Sequence, residues 1–280
     1  MSDILQSNNL NIRKQLIDLS KNLPYNDVAI CLSAGVDSQS ICFALLEAGK
    51  NVTAYSFTLQ DRESRDFVMA REVSKLFDIQ FVPVILPTDV ETLKKDVLTL
   101  HSKYKCKKKT EYECSWPFLY LYPKVKEPIL AHGIGSDGHF CLSKKGMMHF
   151  KDRIEEYRDA YWQRPNGGEK LQHEIFSAEY NKLIFEPYKD KSIIDYFRGT
   201  TWDEVNKPKQ KQPILNSFPE YFDKFKVYPH TNYQLGDSGI SELFELLLTT
   251  DFNKQHYKSV VGIFNAINRG DTHDARKRLI

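Results

Sequence analysis

The chain has 280 residues, of which 41% are hydrophobic and 27% are charged. This length and composition predict a globular protein with a sizeable core, and they exclude a fibrous or an intrinsically disordered chain. The 39 basic residues balance the 37 acidic ones, so the net charge of +2 neither favours nor excludes a polyanionic partner.

The sequence shows no targeting or membrane signal. No apolar segment approaches the roughly 20 residues of a membrane span, and residues 1–11 lack the apolar core of a signal peptide. We therefore expect a cytoplasmic protein without a membrane partner. The five cysteines are odd in number, and Cys31 and Cys42 lie beside or within the first predicted strand and helix, which favours reduced thiols.

Strands and helices alternate in the first half of the sequence. After a predicted helix over residues 9–22, apolar runs predict strands over 27–32, 52–57, 80–85 and 128–132. Apolar residues at helical spacing predict helices over 38–48, 65–77, 89–102 and 116–125. This alternation predicts an α/β fold with a parallel, twisted sheet and flanking helices. From about residue 151 the aromatic-rich sequence predicts a mainly helical part.

The strongest functional signal is the loop Leu32-Ser-Ala-Gly-Val-Asp-Ser38. It lies where a parallel strand meets the first turn of a helix, whose unpaired N–H groups attract phosphate. Gly35 permits a close backbone approach, Ser33 and Ser38 offer hydroxyl donors, and Asp37 is a ligand for Mg²⁺. The loop matches neither the Walker pattern nor the dinucleotide-binding pattern. The alternative is a plain strand-to-helix turn in which Asp37 or Ser38 caps the helix.

This loop resembles the Ser-Gly-Gly-x-Asp-Ser loop of the PP-loop ATP pyrophosphatases, with Ala34 in the place of the first glycine. The resemblance implies an adenine nucleotide alpha hydrolase-like fold. It also implies an enzyme that cleaves ATP between its α and β phosphates. A second loop, His132-Gly-Ile-Gly-Ser-Asp-Gly138, resembles the Ser-Gly-x-Gly-Ser-Asp-Glu loop of the synthetase domain of asparagine synthetases and β-lactam synthetases. Gly138 stands in the place of the glutamate.

Shorter segments extend the resemblance to that synthetase domain over about residues 27–239. They are Asp66 with Ala70, Trp116-Pro-Phe118, Glu186-Pro-Tyr-Lys-Asp190, and Lys211 seven residues before Phe218. The resemblance implies that residues 1–150 form a PP-loop ATP-binding α/β domain. Residues 151–280 would then form a mainly helical part that packs on the same active site.

The resemblance implies an AMP-forming amidoligase that uses ATP and Mg²⁺. Such an enzyme adenylates a carboxylate-type substrate with release of pyrophosphate, and ammonia or an amine then displaces AMP. Asp37, Asp137 and Lys211 would be catalytic, with Asp37 also holding the metal and Lys211 stabilising charge at the α-phosphate. The residues expected to contact the nucleotide are Leu32, Ser33, Ala34, Gly35, Val36, Asp37, Ser38, Ser56, Phe57, Gly133, Ile134, Gly135 and Ser136.

The sequence departs from the family in two places. No glutaminase domain precedes the first loop, so we expect free ammonia or another amine as the donor. Before Trp116, where the family carries acidic residues, the run Lys103–Lys109 has five lysines in seven positions. Glu111 or Glu113 would have to replace those acids. The lysine run is either a solvated surface or a site for a phosphate-bearing acceptor such as a nucleotide or a nucleic acid.

Two other functions stay open at this point. One is a PP-loop enzyme that adenylates a nucleotide or nucleic-acid base and then aminates or thiolates it, which the lysine run and Cys106, Cys114 and Cys141 favour. The other is a degenerate ATP-binding module, which Ala34 and Gly138 favour. The sequence identifies neither the acceptor nor the oligomeric state.

Overall fold

The computed structural model describes residues 2–163, 170–229 and 232–269. Its strands are β1 (Asp27–Cys31), β2 (Asn51–Leu59), β3 (Gln80–Leu86), β4 (Ile129–Ala131) and β5 (Leu183–Phe185). They form one sheet in the order β3-β2-β1-β4-β5, and every neighbouring pair is parallel. The predicted fold class, a parallel sheet with flanking helices and a mainly helical C-terminal part, is confirmed.

Helices cover the sheet and make up most of the second half of the chain. They are α1 (Ser2–Lys21), α2 (Val36–Glu47), α3 (Arg65–Leu76), α4 (Val90–Ser102), α5 (Lys109–Ser115), α6 (Phe118–Leu121), α7 (Asp137–Phe140), α8 (Lys144–Phe150), α9 (Ile154–Trp162), α10 (Lys170–Glu179), α11 (Lys191–Phe197), α12 (Trp202–Asn206), α13 (Gln212–Ser217), α14 (Pro219–Phe222), α15 (Ile240–Glu245), α16 (Asp251–His256) and α17 (Val260–Arg269). None of these helices is both long and apolar enough to cross a membrane.

The order of the strands reverses between β1 and β4, and this reversal positions the site. Val28 of β1 pairs with Val52 of β2 on one side and with Ile129 of β4 on the other. In open parallel sheets, ligands bind in the crevice at the carboxyl ends of the strands where the order reverses. Both predicted loops begin at this crevice, because residues 32–38 follow β1 and residues 132–138 follow β4.

One predicted helix differs from the structure, and α5 and β5 were not predicted. The helix predicted over 116–125 is replaced by α6 and a 3-10 turn at Tyr122–Lys124, because Pro117 and Pro123 lack the N–H that a continuous helix needs. The unpredicted α5 precedes them. The unpredicted β5 pairs with β4 at the edge of the sheet, with Leu183 opposite Ile129. A strand of three residues is too short to show a clear alternation in sequence.

Two hydrophobic layers pack on the sheet, and each contains side chains from both halves of the chain. One layer brings Ile12 and Leu16 of α1 together with Phe218 and Phe222. The other contains Leu93, Val97, Trp116, Phe244 and Phe264. The division at residue 150 stays a prediction.

Phe43 of α2 lies at the centre of an aromatic cluster behind the first loop. It is fully buried, and its ring stacks on Tyr221 with 4.4 Å between centroids. The rings of Phe77 and Phe222 each meet it edge-on at 5.3 Å, and Phe218 lies at 6.1 Å. Because α2 begins at the loop, this cluster holds the loop against the C-terminal part.

Candidate active site

A cavity of about 440 Å³ opens at the crevice between β1, β2 and β4. Its wall contains both loops, part of β2, and Lys211. Ser56 and Phe57 lie within β2 rather than at its end, because the strand continues to Leu59. The predicted site residues that line the cavity are Leu32, Ser33, Ala34, Gly35, Val36, Asp37, Ser38, Ser56, Phe57, Gly133, Ile134, Gly135, Asp137 and Lys211. Ser136 is buried behind them and bonds to one of them.

Backbone and side-chain hydrogen bonds hold the first loop in shape. The N–H of Ser33 donates to the hydroxyl of Ser38 at 3.1 Å, and the N–H of Gly35 donates to the hydroxyl of Ser33 at 3.1 Å. The N–H of Ala34 donates to Asp66 Oδ1 at 3.1 Å. Gly35 is the N-cap of α2 and no side chain caps the helix, so the predicted capping role of Asp37 or Ser38 is wrong. Val36, Asp37 and Ser38 in the first turn of α2 line the cavity, and the unpaired N–H groups of a first helical turn are suited to bind an anion.

The three residues predicted to be catalytic meet in one cluster. The ammonium of Lys211 donates to Asp37 Oδ2 and, at 3.1 Å, to Asp137 Oδ1. The hydroxyl of Ser136 donates to Asp37 Oδ1 at 2.6 Å. Burial disfavours the charged form of Lys211, which is only 3% exposed, but the nearby Asp37 and Asp137 outweigh it and raise the pKa of the amine. Lys211 therefore carries a positive charge beside the first loop.

Lys211 has a left-handed backbone, with φ 60° and ψ 34°, at the N-terminus of α13. This conformation costs a residue with a side chain about 1–2 kcal/mol, so its surroundings must hold it. The N–H of Lys211 donates to Asn206 Oδ1 at 3.3 Å, and Asn206 Nδ2 donates to the carbonyl of Phe140 at 2.9 Å. Phe140 ends the helix that begins at Asp137. Buried Asn206 thus connects the backbone of Lys211 to the second loop.

Replacing Asn206 with aspartate is expected to lower the free energy of unfolding by about 2–3 kcal/mol. The change removes the donor to Phe140 and places a second acceptor against that carbonyl. Denaturant unfolding measures the loss. Asn216→Asp makes the same chemical change on the exposed side of α13 and should stay within about 0.5 kcal/mol of the parent. Equal stabilities of the two variants would contradict the role of Asn206.

Glycines let the second loop approach its neighbours. A Cβ on Gly133 would lie 3.0 Å from the Cβ of Asp37, so the two loops touch there. Gly135 has φ +95°, which favours glycine. A Cβ on Gly138 would lie 2.5 Å from the ring of Tyr161, which lines the cavity. Gly138 therefore leaves space for the ring of Tyr161 in the cavity wall. The family has a glutamate at the position of this glycine.

The cavity also contains residues that the sequence analysis missed. Tyr228 and Tyr233 line it from the segment after α14. The Tyr233 ring meets Phe57 edge-on at 5.4 Å, and its hydroxyl donates to the carbonyl of Cys114. The guanidinium of Arg65 lies over the ring of Tyr228 at 4.6 Å. No pattern marks these residues in the sequence, because isolated tyrosines are ordinary core and surface residues.

The lysine run lies beside the cavity but does not form its described wall. Lys103 pairs with Glu179 at 2.6 Å, and Lys109 pairs with Glu245 at 2.6 Å. Glu111 accepts bonds from the backbone at the start of α5, and Glu113 is buried and accepts from Ser241. From this stretch the described lining contains only Thr110 and Cys114, one helical turn apart. Binding of a nucleotide or nucleic acid by the run stays a prediction.

Two of the cysteine thiols near the cavity, those of Cys31 and Cys141, are poorly suited to transfer sulfur. All five cysteines lie in the described ranges, and no disulfide joins them. Cys31 lines the cavity, and burial raises the pKa of its thiol far above the ordinary value. Burial likewise raises the pKa of Cys141 to about 11. Because the thiolate is the nucleophile, these thiols are unreactive near neutral pH.

Three buried histidines are neutral near the second loop: His132 begins the loop, His139 follows it, and His173 contacts His132. Burial lowers the pKa of His139 and of His173 to about 3, and it lowers the pKa of His132 well below the ordinary value. The Nε2–H of His139 donates to the carbonyl of Tyr188 at 2.8 Å, which a neutral ring can do. The ring centroids of His132 and His173 lie 4.7 Å apart. Charging either ring would place a cation in the core.

Stability should therefore fall as the pH drops below 6.5, the ordinary pKa of histidine. The unfolded chain binds protons at these rings below that pH and the folded protein does not, so the loss grows until the folded pKa is reached. Between pH 6.5 and 5, His139 and His173 each contribute a loss of about 1.6 kcal/mol of stability. Urea unfolding across this range measures the slope. His139→Gln should reduce the slope, whereas His149→Gln, at an exposed position, should leave it unchanged.

The donor set of the cluster fits a magnesium ion. Asp37 and Asp137 present carboxylate oxygens, which Mg²⁺ prefers, and both reach the same ammonium. Among the residues that the structure describes, no group of three or more His, Cys, Asp and Glu side chains is arranged to hold a metal. Mg²⁺ commonly takes one or two protein carboxylates and completes its shell with phosphates and water, so two carboxylates suffice.

Comparison with known proteins identifies the family. The asparagine synthase family model matches residues 25–210, which is more than half of the chain and includes both loops. NMN synthetase from Francisella tularensis is similar in structure, with 15% sequence identity and a TM-score of 0.36; the match covers 81% of this chain and 98% of that chain. No curated protein matches the chain. Because the family model covers both loops and most of the sheet, the chain belongs to the asparagine synthase family.

Proposed function

We propose that the protein is an AMP-forming ligase that adenylates a carboxylate-type substrate and passes it to ammonia or an amine. The observation that supports this most is the meeting of Lys211, Asp37 and Asp137 beside the first loop. The loop provides N–H groups for phosphate, the carboxylates provide metal ligands, and the lysine provides a cation for the charge that develops at the α-phosphate.

In the first step a carboxylate oxygen of the substrate forms a bond to the α-phosphorus of ATP. The bond between that phosphorus and the oxygen that bridges to the β-phosphate breaks, and pyrophosphate leaves. The N–H groups at the start of α2 bind the phosphates, and the Lys211 ammonium stabilises the added negative charge. Asp37 and Asp137 would hold a Mg²⁺ ion, which would supply positive charge to the phosphates of ATP.

In the second step the nitrogen of ammonia or an amine attacks the acyl carbon. The bond from that carbon to the AMP oxygen breaks, AMP leaves, and the nitrogen gives up its extra proton to a basic group or to water. Gly135 and Tyr161 line the cavity beside Asp137 and are the residues we expect beside the acceptor. The base of ATP is expected against Ser56 and Phe57.

The charge of the cavity supports a metal-bound nucleotide. Its described wall carries three carboxylates and two basic groups, namely Asp37, Asp66, Asp137, Arg65 and Lys211. Two basic groups cannot offset these carboxylates together with the several negative charges of ATP. A divalent cation that arrives with ATP supplies the missing positive charge.

The test is to incubate the protein with Mg²⁺, ATP labelled at the α-phosphate, and pools of carboxylates, amino acids, nucleotides and tRNA, each with and without ammonium. Label in AMP that depends on a carboxylate pool and on ammonium would support the proposal. AMP that depends on nucleotides or tRNA would favour the base-modifying alternative. Label in ADP would exclude cleavage between the α and β phosphates. ATP binding without turnover on any pool would favour a binding module.

A matched pair of variants ties the activity to the cluster. Asp37→Asn should abolish AMP formation, because the carboxylate that contacts Lys211 and Ser136 is lost. Asp223→Asn makes the same change at an exposed position outside the cavity and should keep the activity of the parent.

A further inference from the structure

The partners of the Lys211 ammonium are the two carboxylates that the proposed function gives to magnesium. Lys211 Nζ bonds Asp37 Oδ2, and it bonds Asp137 Oδ1 at 3.1 Å. The other oxygen of Asp37 accepts the hydroxyl of Ser136 at 2.6 Å. Protein donors thus engage both oxygens of Asp37. Any metal at Asp37 must share or replace one of these contacts.

Sharing the carboxylates is unfavourable for two cations in this place. The Lys211 side chain is 4% exposed and that of Asp37 is 17% exposed, so water screens this pair poorly, whereas the Asp137 side chain is 46% exposed and is better screened. Mg²⁺ requires oxygen ligands at about 2.0–2.1 Å. An ion bound to the carboxylate oxygens that contact Lys211 would therefore lie close to the ammonium. Repulsion between the two cations would offset much of the attraction of each to the carboxylates.

The ammonium can move while the backbone that carries it stays in place. Asn206 bonds the N–H of Lys211, which fixes the start of α13. The aliphatic stem of a lysine has four carbons and several rotatable bonds, so the ammonium can swing without a change in the loop. The phosphates of ATP, which we expect at the first turn of α2, offer it negative charge next to Asp37.

We propose that the Lys211 ammonium and the divalent cation compete for Asp37 and Asp137, so that the protein binds the cation tightly only together with ATP. The phosphates accept the displaced ammonium and supply further ligands to the metal. The competition makes metal and nucleotide binding mutually dependent, since each lowers the cost of the other. This inference rests on the proposed ATP site.

The test is a titration of Mn²⁺, followed by the loss of its free-ion electron paramagnetic resonance signal, without nucleotide. Lys211→Met removes the charge and keeps most of the length of the side chain, and it should bind Mn²⁺ at least about tenfold more tightly than the parent. Lys211→Arg keeps the charge and should bind as weakly as the parent. The parent should bind tightly once α,β-methylene ATP is added.

Further variants test whether a gain in Mn²⁺ affinity arises at the cluster of Lys211, Asp37 and Asp137. Adding Asp37→Asn to Lys211→Met should remove the gain, which assigns the new site to this cluster; a gain that persists would overturn the inference. Lys211→Gln serves as a second neutral variant if Lys211→Met does not fold by circular dichroism. Equal Mn²⁺ affinities of the parent and a folded neutral variant would also overturn it.

The titration needs neither an acceptor nor turnover. A failure to form AMP would therefore count against the proposed function without deciding the competition. Weak Mn²⁺ binding by the parent even with the nucleotide analogue, although the analogue itself binds, would contradict the competition without bearing on the reaction.

Discussion

Lys211→Met is expected to slow AMP formation by roughly 100- to 1000-fold once the acceptor is known. The methionine keeps most of the apolar stem but removes the charge that stands beside Asp37 and Asp137. Because we assign Lys211 to charge that develops in the transition state, the turnover number should fall far more than the affinity for ATP. Steady-state rates with saturating substrates and a separate ATP-binding titration measure the two effects.

The control for this prediction is Lys209→Met, which removes an exposed ammonium two residues away. It should leave the rate close to that of the parent. If Lys211→Met keeps the parental turnover and only weakens ATP binding, Lys211 binds substrate without favouring the transition state, and the assigned role is wrong.

Phe43→Ala is expected to lower the free energy of unfolding by about 3–5 kcal/mol. Phe43 is fully buried, and its ring contacts Phe77, Tyr221 and Phe222, so truncation leaves a cavity among rings that cannot all collapse into it. Denaturant unfolding at neutral pH measures the loss. Because α2 carries the first loop, ATP should restore part of the stability of the variant by mass action.

Two further variants serve as comparisons for the loss of stability in Phe43→Ala. Phe43→Leu keeps a branched apolar side chain and should lose less than the alanine variant. Tyr25→Ala removes an aromatic ring that is 50% exposed and should change stability by less than about 1 kcal/mol. A loss below about 1 kcal/mol for Phe43→Ala would show that the aromatic cluster does not hold α2 in place.

Local sequence signals were sufficient for four of the five described strands and for the position of the first loop. Strands β1 to β4 are apolar runs that end at turn residues, and the run from Leu32 to Ser38 combines small residues, hydroxyls and a carboxylate in an order typical of phosphate binding. Ala34 is not among the described non-glycine residues with positive φ, so the substitution of the family glycine imposes no backbone strain of that kind.

Contacts between distant segments were less predictable. Lys211 was identified through family resemblance, because an isolated lysine carries no signal of its own. Nothing in the sequence indicated that Tyr161 would occupy the space beside Gly138, or that Tyr233 would pack against Phe57. Such contacts depend on how helices of the second half pack on the sheet. The lysine run was predicted as a possible binding site from its composition alone. In the structure, Lys103 and Lys109 pair with nearby glutamates.

The cavity wall contains residues from 32–38 and 132–137 together with Lys211. Because these segments are far apart in the sequence, they emerge from the ribosome at different times during synthesis. Synthesis adds about 5–20 residues per second, and the N-terminal elements emerge first. A nascent chain that ends before Lys211 contains the first loop but lacks Phe218 and α14, whose aromatic rings pack on Phe43 and hold α2 in place. ATP would therefore stabilise the completed protein rather than its early folding intermediates. It would favour the correctly folded chain only after the C-terminal part has been synthesised.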